Sequence, residues 1–233
     1  MRKAVVDSMN ISGKTFLVCG ASGALGSELV QLLRGKGATV LGTASSNESA
    51  ARIPSGVEVR LLLDFTKPES IKTLTDYLTA STELDGIINA SGVVAFGEAS
   101  ETPSEVVSQL FAINAVGPIQ LFSALAPLLG KKEQSVVVNL TGVVAETALP
   151  SIASYSASKF AINGFLQAVA REWRRAGTNV ISARPGHTET GLADRAIYGT
   201  APKFPAGKTA NEVASRIIAA IEADERDLPA SSF

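Results

Sequence analysis

At 233 residues the chain has room for one large α/β domain or two small ones, and a single domain of this size buries roughly 70–75% of its unfolded surface. Its 45% hydrophobic and 18% charged residues exclude a disordered or fibrous chain, and 21 Lys+Arg against 22 Asp+Glu leave no basic surplus for a nucleic-acid backbone. One Cys excludes an internal disulfide, one His argues against a multi-histidine metal site, and no secretory leader or apolar run approaching about 18 residues is visible, so a soluble cytoplasmic protein is expected.

In chain order, Thr15–Cys19 reads as a buried strand, followed by a glycine-rich turn and a helix to about Gly35. Thr39–Thr43 and Val57–Leu63 are the second and third strands. A helix over Pro68–Leu78 follows, with Ile71, Leu74, Tyr77 and Leu78 on one face, and then a fourth strand, Gly86–Ala90. Long helices over Pro103–Leu129 and Ser154–Ala176 are separated by the strand Ser135–Thr141; Asn179–Arg184 is the sixth strand and Thr209–Glu222 a closing helix. Alternation of this kind predicts an α/β fold, a parallel sheet with helices on both faces, in one domain spanning 1–233. Residues 188–208 are irregular and rich in Gly and Pro, which marks them as a binding loop or lid.

The first strand ends in Gly20, Ala21, Ser22, Gly23, Ala24, Leu25 and Gly26. A glycine-rich turn between strand and helix brings backbone N–H groups and the positive end of a helix dipole up to a pyrophosphate. The spacing is not the G-x-G-x-x-G fingerprint, so tight packing alone would also use these glycines. After the second strand stand Ser45 and Ser46 where many NAD sites carry an acid on the ribose. The two hydroxyls suit a 2′-phosphate and favour NADP, with Arg34 or Arg52 as the cation that would have to reach in.

Tyr155 and Lys159 are spaced i, i+4 on one helix face. A phenol titrates near ~10 and needs a neighbouring cation to work as an acid–base group at neutral pH. Such a pair occurs on many helices without chemistry, and its meaning depends on the rest of the chain.

Taken together, these segments resemble the short-chain dehydrogenase/reductase family over nearly the whole chain. The turn from Gly20 to Gly26 resembles the family's TGxxx[AG]xG, with Cys19 where Thr is usual, and Asp64-Phe65 resembles the pair that holds the adenine. Asn89-Ala90-Ser91-Gly92 resembles NNAG, Asn114 sits where the family carries the Asn of a water-linked proton relay, Tyr155 and Lys159 match YxxxK, and Pro185-Gly186-His187-Thr188-Glu189-Thr190 resembles the PGxxxT segment that grips the nicotinamide. Locally, residues 37–50 are similar to NADPH-dependent 3-oxoacyl-carrier-protein reductases. The resemblance implies a Rossmann-type doubly wound sheet and an NADP-preferring oxidoreductase, NAD not excluded, acting on a carbonyl or secondary alcohol. Its cofactor residues would be Gly20, Ser22, Gly23, Ala24, Leu25, Gly26, Ser45, Ser46, Asp64, Phe65, Asn89, Ala90, Tyr155, Lys159, Pro185, Gly186, Thr188 and Thr190. Its catalytic residues would be Asn114, Tyr155 and Lys159, with Lys159 depressing the Tyr155 pKa. A homodimer or homotetramer through the long helices is implied.

One family position departs. The catalytic Ser lies thirteen residues before the Tyr, and here that residue is Gly142. Thr141 is the candidate replacement, provided a bulge at Gly142 turns its hydroxyl toward Tyr155. The alternative is a dinucleotide-binding regulatory protein with weak or no catalysis. The last strand is expected to be short, because the chain lacks the Gly-rich turn of many relatives. Substrate walls are expected at Val93, Val94, Val143, Val144, Leu149, Leu192, Ile197 and Tyr198; without an Arg or Lys among them, they suggest a neutral or apolar carbonyl compound. His187 is expected to be a packed or loop-capping residue.

Overall fold

The computed structural model describes residues 8–233. Strands β1 (Thr15–Cys19), β2 (Thr39–Ala44), β3 (Val59–Leu62), β4 (Gly86–Asn89), β5 (Ser135–Leu140) and β6 (Thr178–Ala183) form one sheet in the order β3-β2-β1-β4-β5-β6. All its pairings are parallel. Around it lie α1 (Ala24–Gly35), α2 (Asn47–Ala50), α3 (Pro68–Ser81), α4 (Ser104–Phe111), α5 (Gly117–Leu129), α6 (Ala153–Glu172) and α7 (Ala210–Glu222). Each predicted strand and long helix is present, with shifts of a few residues at the ends.

Side chains alternate across each strand, and this sorts the sheet residues into two cores. Phe16, Val18, Ile88, Val136, Val138 and Ile181 pack under α1 and α7. Leu17, Cys19, Ile87, Val137 and Val180 pack under α3, α5 and α6. Strands β2 and β3 extend from β1 to one side and β5 and β6 from β4 to the other, so the chain reverses direction between β1 and β4. A crevice opens at the carboxyl ends of the strands at such a point.

The helix predicted over Pro103–Leu129 is α4 and α5 joined by a π-helical turn at Ala112–Val116. By length and composition Ser104–Leu129 is, among the described residues, long and apolar enough to cross a membrane, with Asn114, Gln120 and Ser123 interrupting its apolar residues. Its apolar residues Leu110, Leu121, Phe122 and Leu125 are buried in the protein core. The one-turn helix α2 adds to the predicted elements: Ser46 Oγ accepts from Ser49 N at 3.2 Å, and Ser49 Oγ accepts from Ser46 N at 3.0 Å.

Past α7 the chain makes a single parallel bridge to β6, between Leu228 and Ala183, with Arg184 N donating to Leu228 O at 2.9 Å; Ala230 N, the next donor in register, goes instead to Glu146 Oε1 at 3.1 Å. In place of a last strand, short or atypical as expected, the chain after α7 keeps this one bridge. Arg184 takes over the strand's fastening role: it is buried, pairs both oxygens of Asp227 at 2.7 and 2.8 Å, and also pairs Glu146.

Candidate active site

A cleft of about 890 Å³ opens over the strand ends, lined by the residues that follow β1, β2, β3, β4, β5 and β6. Gly20, Ser22, Gly23, Ala24, Leu25 and Gly26 form one wall. Gly20 has φ +74°, and a Cβ there would meet Ser91 Oγ at 2.8 Å. A Cβ on Gly26 would sit 2.1 Å from Gly20 O, so the helix can approach the turn this closely with glycine alone. Gly23 is the N-cap of α1 and no side chain caps that helix, which leaves first-turn N–H groups toward the cleft.

Ser45 lines the cleft, whereas Ser46 does not: its hydroxyl caps α2. Ser49 and Arg52, brought round by α2, line the same end. Arg34 lies elsewhere, donating to Ser55 O at 3.0 Å. Asp64 and Phe65 also line the cleft. Burial works to raise Asp64, but Lys67 at 2.8 Å and the Thr66 N–H and hydroxyl outweigh it and hold the carboxyl below its ordinary range.

Tyr155 and Lys159 stand on one face of α6 and both reach the cleft. Lys159 Nζ donates to Leu140 O at 3.0 Å and lies 5.9 Å from the centre of the Tyr155 ring. Burial lowers Lys159 to about 8 and raises Tyr155 to about 12. In the cofactor-free protein, desolvation thus outweighs the expected lowering of Tyr155 by its lysine neighbour.

Asn114 lies within the π-helical turn, a widened geometry frequent at functional sites. Its Oδ1 accepts from Val93 N at 3.0 Å, and its Nδ2 donates to Val93 O at 2.9 Å and Ser158 Oγ at 3.1 Å. The side chain thereby holds the backbone after β4 against α6, with both amide protons in use. Asn89 is buried rather than cleft-lining: it donates to Asn139 Oδ1 at 2.7 Å and accepts from Ser91 N at 3.1 Å. Ala90 follows it into the cleft wall.

The bulge expected at the end of β5 is present, since Thr141 N and Gly142 N both donate to Ala183 O, at 2.7 and 3.2 Å. It does not turn the Thr141 hydroxyl toward Tyr155, which corrects the expected catalytic role. That hydroxyl is fully buried, 2.9 Å from Ser182 Oγ and 3.2 Å from Asn139 Nδ2. Gly142 itself has φ +83° and ψ 156°.

On the other side, Pro185, Gly186, Thr188 and Thr190 line the cleft, with strands β7 (Thr188–Glu189) and β8 (Lys208–Thr209) paired beside them. Val93, Val94, Val143, Val144, Leu149 and Leu192 form the expected apolar walls. Ile197 and Tyr198 do not reach the cleft. They pair with the segment after β4, through Ile197 N to Val94 O and Phe96 N to Tyr198 O, both at 2.9 Å. Phe204, one of the large apolar residues of segment 188–208, also lines the cleft, as do Phe96 and Arg195, which no sequence pattern marked. His187 lies there too, stacked on Phe204 with ring centres 4.6 Å apart. Arg195 corrects the expectation of walls free of Arg and Lys. No short sequence signal marks it, because a turn at Ala193–Arg195 carries it back to the cleft.

The profile of the family described as short chain dehydrogenase matches residues 14–198. The 3-oxoacyl-[acyl-carrier-protein] reductase FabG of Vibrio cholerae is 30% identical over 219 residues, covering 90% of each chain. The 2-dehydro-3-deoxy-D-gluconate 5-dehydrogenase of Bacillus subtilis is 25% identical, covering 79% of this chain and 74% of its own. A short chain dehydrogenase from Shigella flexneri, solved in complex with NADP, superposes with a TM-score of 0.85 at 24% identity, covering 95% of this chain and 98% of that one. One from Burkholderia cenocepacia, also with NADP, gives 0.83 at 24% identity and covers 95% of this chain and 89% of that one.

Proposed function

The chain belongs to the short-chain dehydrogenase family, NAD(P)-dependent oxidoreductases acting on carbonyl and CH–OH groups, and from that premise we propose an NADP-preferring carbonyl reductase with Tyr155 as its proton donor. The observation that carries the reading is the placement of Tyr155 and Lys159 at the cleft, on one face of α6, with Lys159 anchored to Leu140 O at 3.0 Å.

The cleft fits a dinucleotide. The wall at Gly20 and Gly26 is one a Cβ would fill, and the uncapped N-terminus of α1 offers N–H groups to a pyrophosphate. Asp64 and Phe65 would face the adenine. Ser45, Ser49 and Arg52 would take the 2′-phosphate of NADP, and Pro185, Gly186, Thr188 and Thr190 the nicotinamide end. When bound, NADPH supplies the hydride. Tyr155 gives its proton to the carbonyl oxygen as that oxygen gains charge. Lys159, held by Leu140 O, places positive charge beside the phenol and offers its remaining donors to ribose hydroxyls. Asn114 fixes the Val93 backbone opposite. Residues 188–208 act as the lid, and with the apolar walls they exclude water from the reacting centre.

Half-exposed apolar residues on the two long helical segments, Val116 (47%) and Phe160 (42%), support assembly into a homodimer or homotetramer. We place the protein in the cytoplasm, acting on a small molecule without nucleic acid or membrane.

A second reading has one observation behind it: residue 142 has no side chain, and the Thr141 hydroxyl is spent in the core. It describes a dinucleotide-binding protein with slow turnover. NADPH binding followed by fluorescence, together with NADPH oxidation on aryl and alkyl aldehydes and ketones, separates the two. Binding with turnover that Tyr155→Phe abolishes, while NADPH still binds, supports the reductase. Binding without turnover on any of these carbonyls supports the second reading, and failure to bind NADPH overturns both.

A further inference from the structure

Among the described residues, the charged side chains lining the cleft are Arg52, Lys159 and Arg195 against the single carboxylate of Asp64, with His187 as a fourth basic group. The four other than Arg195 have partners, His187 through Glu189 at 3.4 Å. Asp64 is paired with Lys67 at 2.8 Å, Lys159 donates to Leu140 O at 3.0 Å, and Arg52 stands 3.5 Å from Glu48 at the β2–β3 end. Arg195 lies at the other end, with the apolar walls.

Its guanidinium is folded back over Gly191, where a Cβ would meet Nη1 at 3.0 Å, and Nη2 donates to Thr190 O at 3.3 Å. A carbonyl is a weak partner for a cation, and no described carboxylate pairs with Arg195. Glu189 is engaged elsewhere, with Gly207 N at 2.8 Å and His187 Nε2 at 3.4 Å. Phe204 and His187, stacked on each other, line the same cleft. The cleft therefore joins an aromatic wall to a cation with free donors, and the planar fork of Arg matches a carboxylate with two parallel hydrogen bonds.

We propose that Arg195 is a specificity-determining residue that binds a carboxylate on the substrate, distal to the reacting carbonyl, and that the substrates are oxo-acids with an apolar or aromatic body. One guanidinium balances one negative charge, and the neighbouring Asp194 disfavours a dianion such as a phosphate monoester. The inference rests on the oxidoreductase reading for its carbonyl, but not for its carboxylate.

The test compares 4-formylbenzoate with its methyl ester in the wild type, Arg195→Ala and Arg195→Lys. Measured are kcat/KM with NADPH, calorimetric affinity of each aldehyde for the NADP⁺-loaded protein, and the Kd of NADPH. The wild type should favour the acid by about tenfold in both kcat/KM and affinity, the order expected of a charge-assisted pair in a partly solvated cleft. Arg195→Ala should abolish that preference, Arg195→Lys should keep part of it, and the Kd of NADPH should not move. Equal treatment of acid and ester by the wild type, or failure to bind either aldehyde, overturns the proposal. So does an Arg195→Ala variant that loses NADPH affinity and weakens both aldehydes alike, because the guanidinium would then serve the cofactor. Selective binding of the acid through Arg195 without turnover keeps the carboxylate site and removes the reductase reading. Turnover of both aldehydes without discrimination does the reverse.

Discussion

The hydroxyls of Thr141 and Ser182 lie 2.9 Å apart between the sheet and α6, and this contact decides which way Thr141 points. Asn89 Nδ2 donates to Asn139 Oδ1, Asn139 Nδ2 to Thr141 Oγ1, Ser182 Oγ to Asn163 Oδ1, and Asn163 Nδ2 to Ala145 O. With Ser182 donating onward, Thr141 donates to Ser182 at 2.9 Å, sharing its proton with Asn139 O at 3.3 Å, and the five side-chain hydrogen bonds run in one direction from β4 to the turn after Gly142. Thr141→Val is therefore expected to cost about 1–3 kcal/mol of stability by stranding buried polar partners, with little change in kcat. Urea unfolding and steady-state kinetics on the same variant check this. A fall of about a hundredfold in kcat at unchanged stability would instead show that the hydroxyl stabilises the reacting oxygen.

Gly142 leaves space, since a Cβ there would find nothing nearer than Val144 Cγ2 at 3.8 Å. Its backbone, at φ +83° and ψ 156°, lies in a region that essentially glycine alone occupies. Restoring a serine side chain at this position is thus opposed by conformation, not by crowding. Gly142→Ser should lose about 1–3 kcal/mol without gaining activity, and Gly142→Ala should lose a similar amount. A Gly142→Ser enzyme with higher kcat and unchanged melting temperature would mean that the bulge relaxes to accept the side chain.

What could be read ahead of the structure follows how local the signal is. β1, β4 and β5 were legible from short apolar runs, because both faces of a central parallel strand are buried. Gly20, Gly26, Tyr155 and Lys159 were legible because one turn and one helical repeat carry their whole geometry. Ser46 shows the limit: a hydroxyl suited to a phosphate is equally suited to capping a helix, and a one-turn helix leaves no periodic pattern to reveal it. The π-helical turn at Asn114 has no apolar period of its own within AINAV. Arg195 depends on how residues 188–208 fold back, and Thr141 on a partner 41 residues away, so neither orientation is written in its neighbours.

Arg184 fastens three segments at once: β6, the turn carrying Glu146, and the chain end carrying Asp227. The Glu146 carboxylate also accepts from Ala230 N at 3.1 Å, so the clasp holds the C-terminal residues where the sheet has one bridge. Arg184→Met should cost about 1–3 kcal/mol, less than a fully buried pair because the Asp227 side chain is 60% exposed. Because Pro185 and Gly186 follow directly in the cleft wall, the Kd of NADPH should rise as well. Arg184→Lys should recover little of either, since it cannot form the paired contacts with Asp227. Urea titration and cofactor fluorescence of the two variants read both effects, and an Arg184→Lys variant equal to wild type would reduce the clasp to a simple charge contact.

Lys159 makes the stability of the cofactor-free protein depend on pH in a direction that can be worked out. Burial lowers its native pKa to about 8 from an ordinary 10.5. Below pH 8 the ammonium is charged in both states and the native state bears the full desolvation cost. Between about 8 and 10.5 the unfolded chain keeps a proton that the native one has released, so native stability rises with pH. Tyr155 acts oppositely: its native phenol keeps its proton to about 12 and the unfolded one loses it near 10, so its contribution falls across that window. Unfolding free energies at pH 7.5 and 10 should show a rise in the wild type that Lys159→Met lacks, on the order of 2–3 kcal/mol. Lys159→Met should also be the more stable protein at pH 7.5, while losing activity. Tyr155→Phe should retain the rise. Parallel pH profiles for wild type and Lys159→Met would show that water reaches the ammonium in the native cleft.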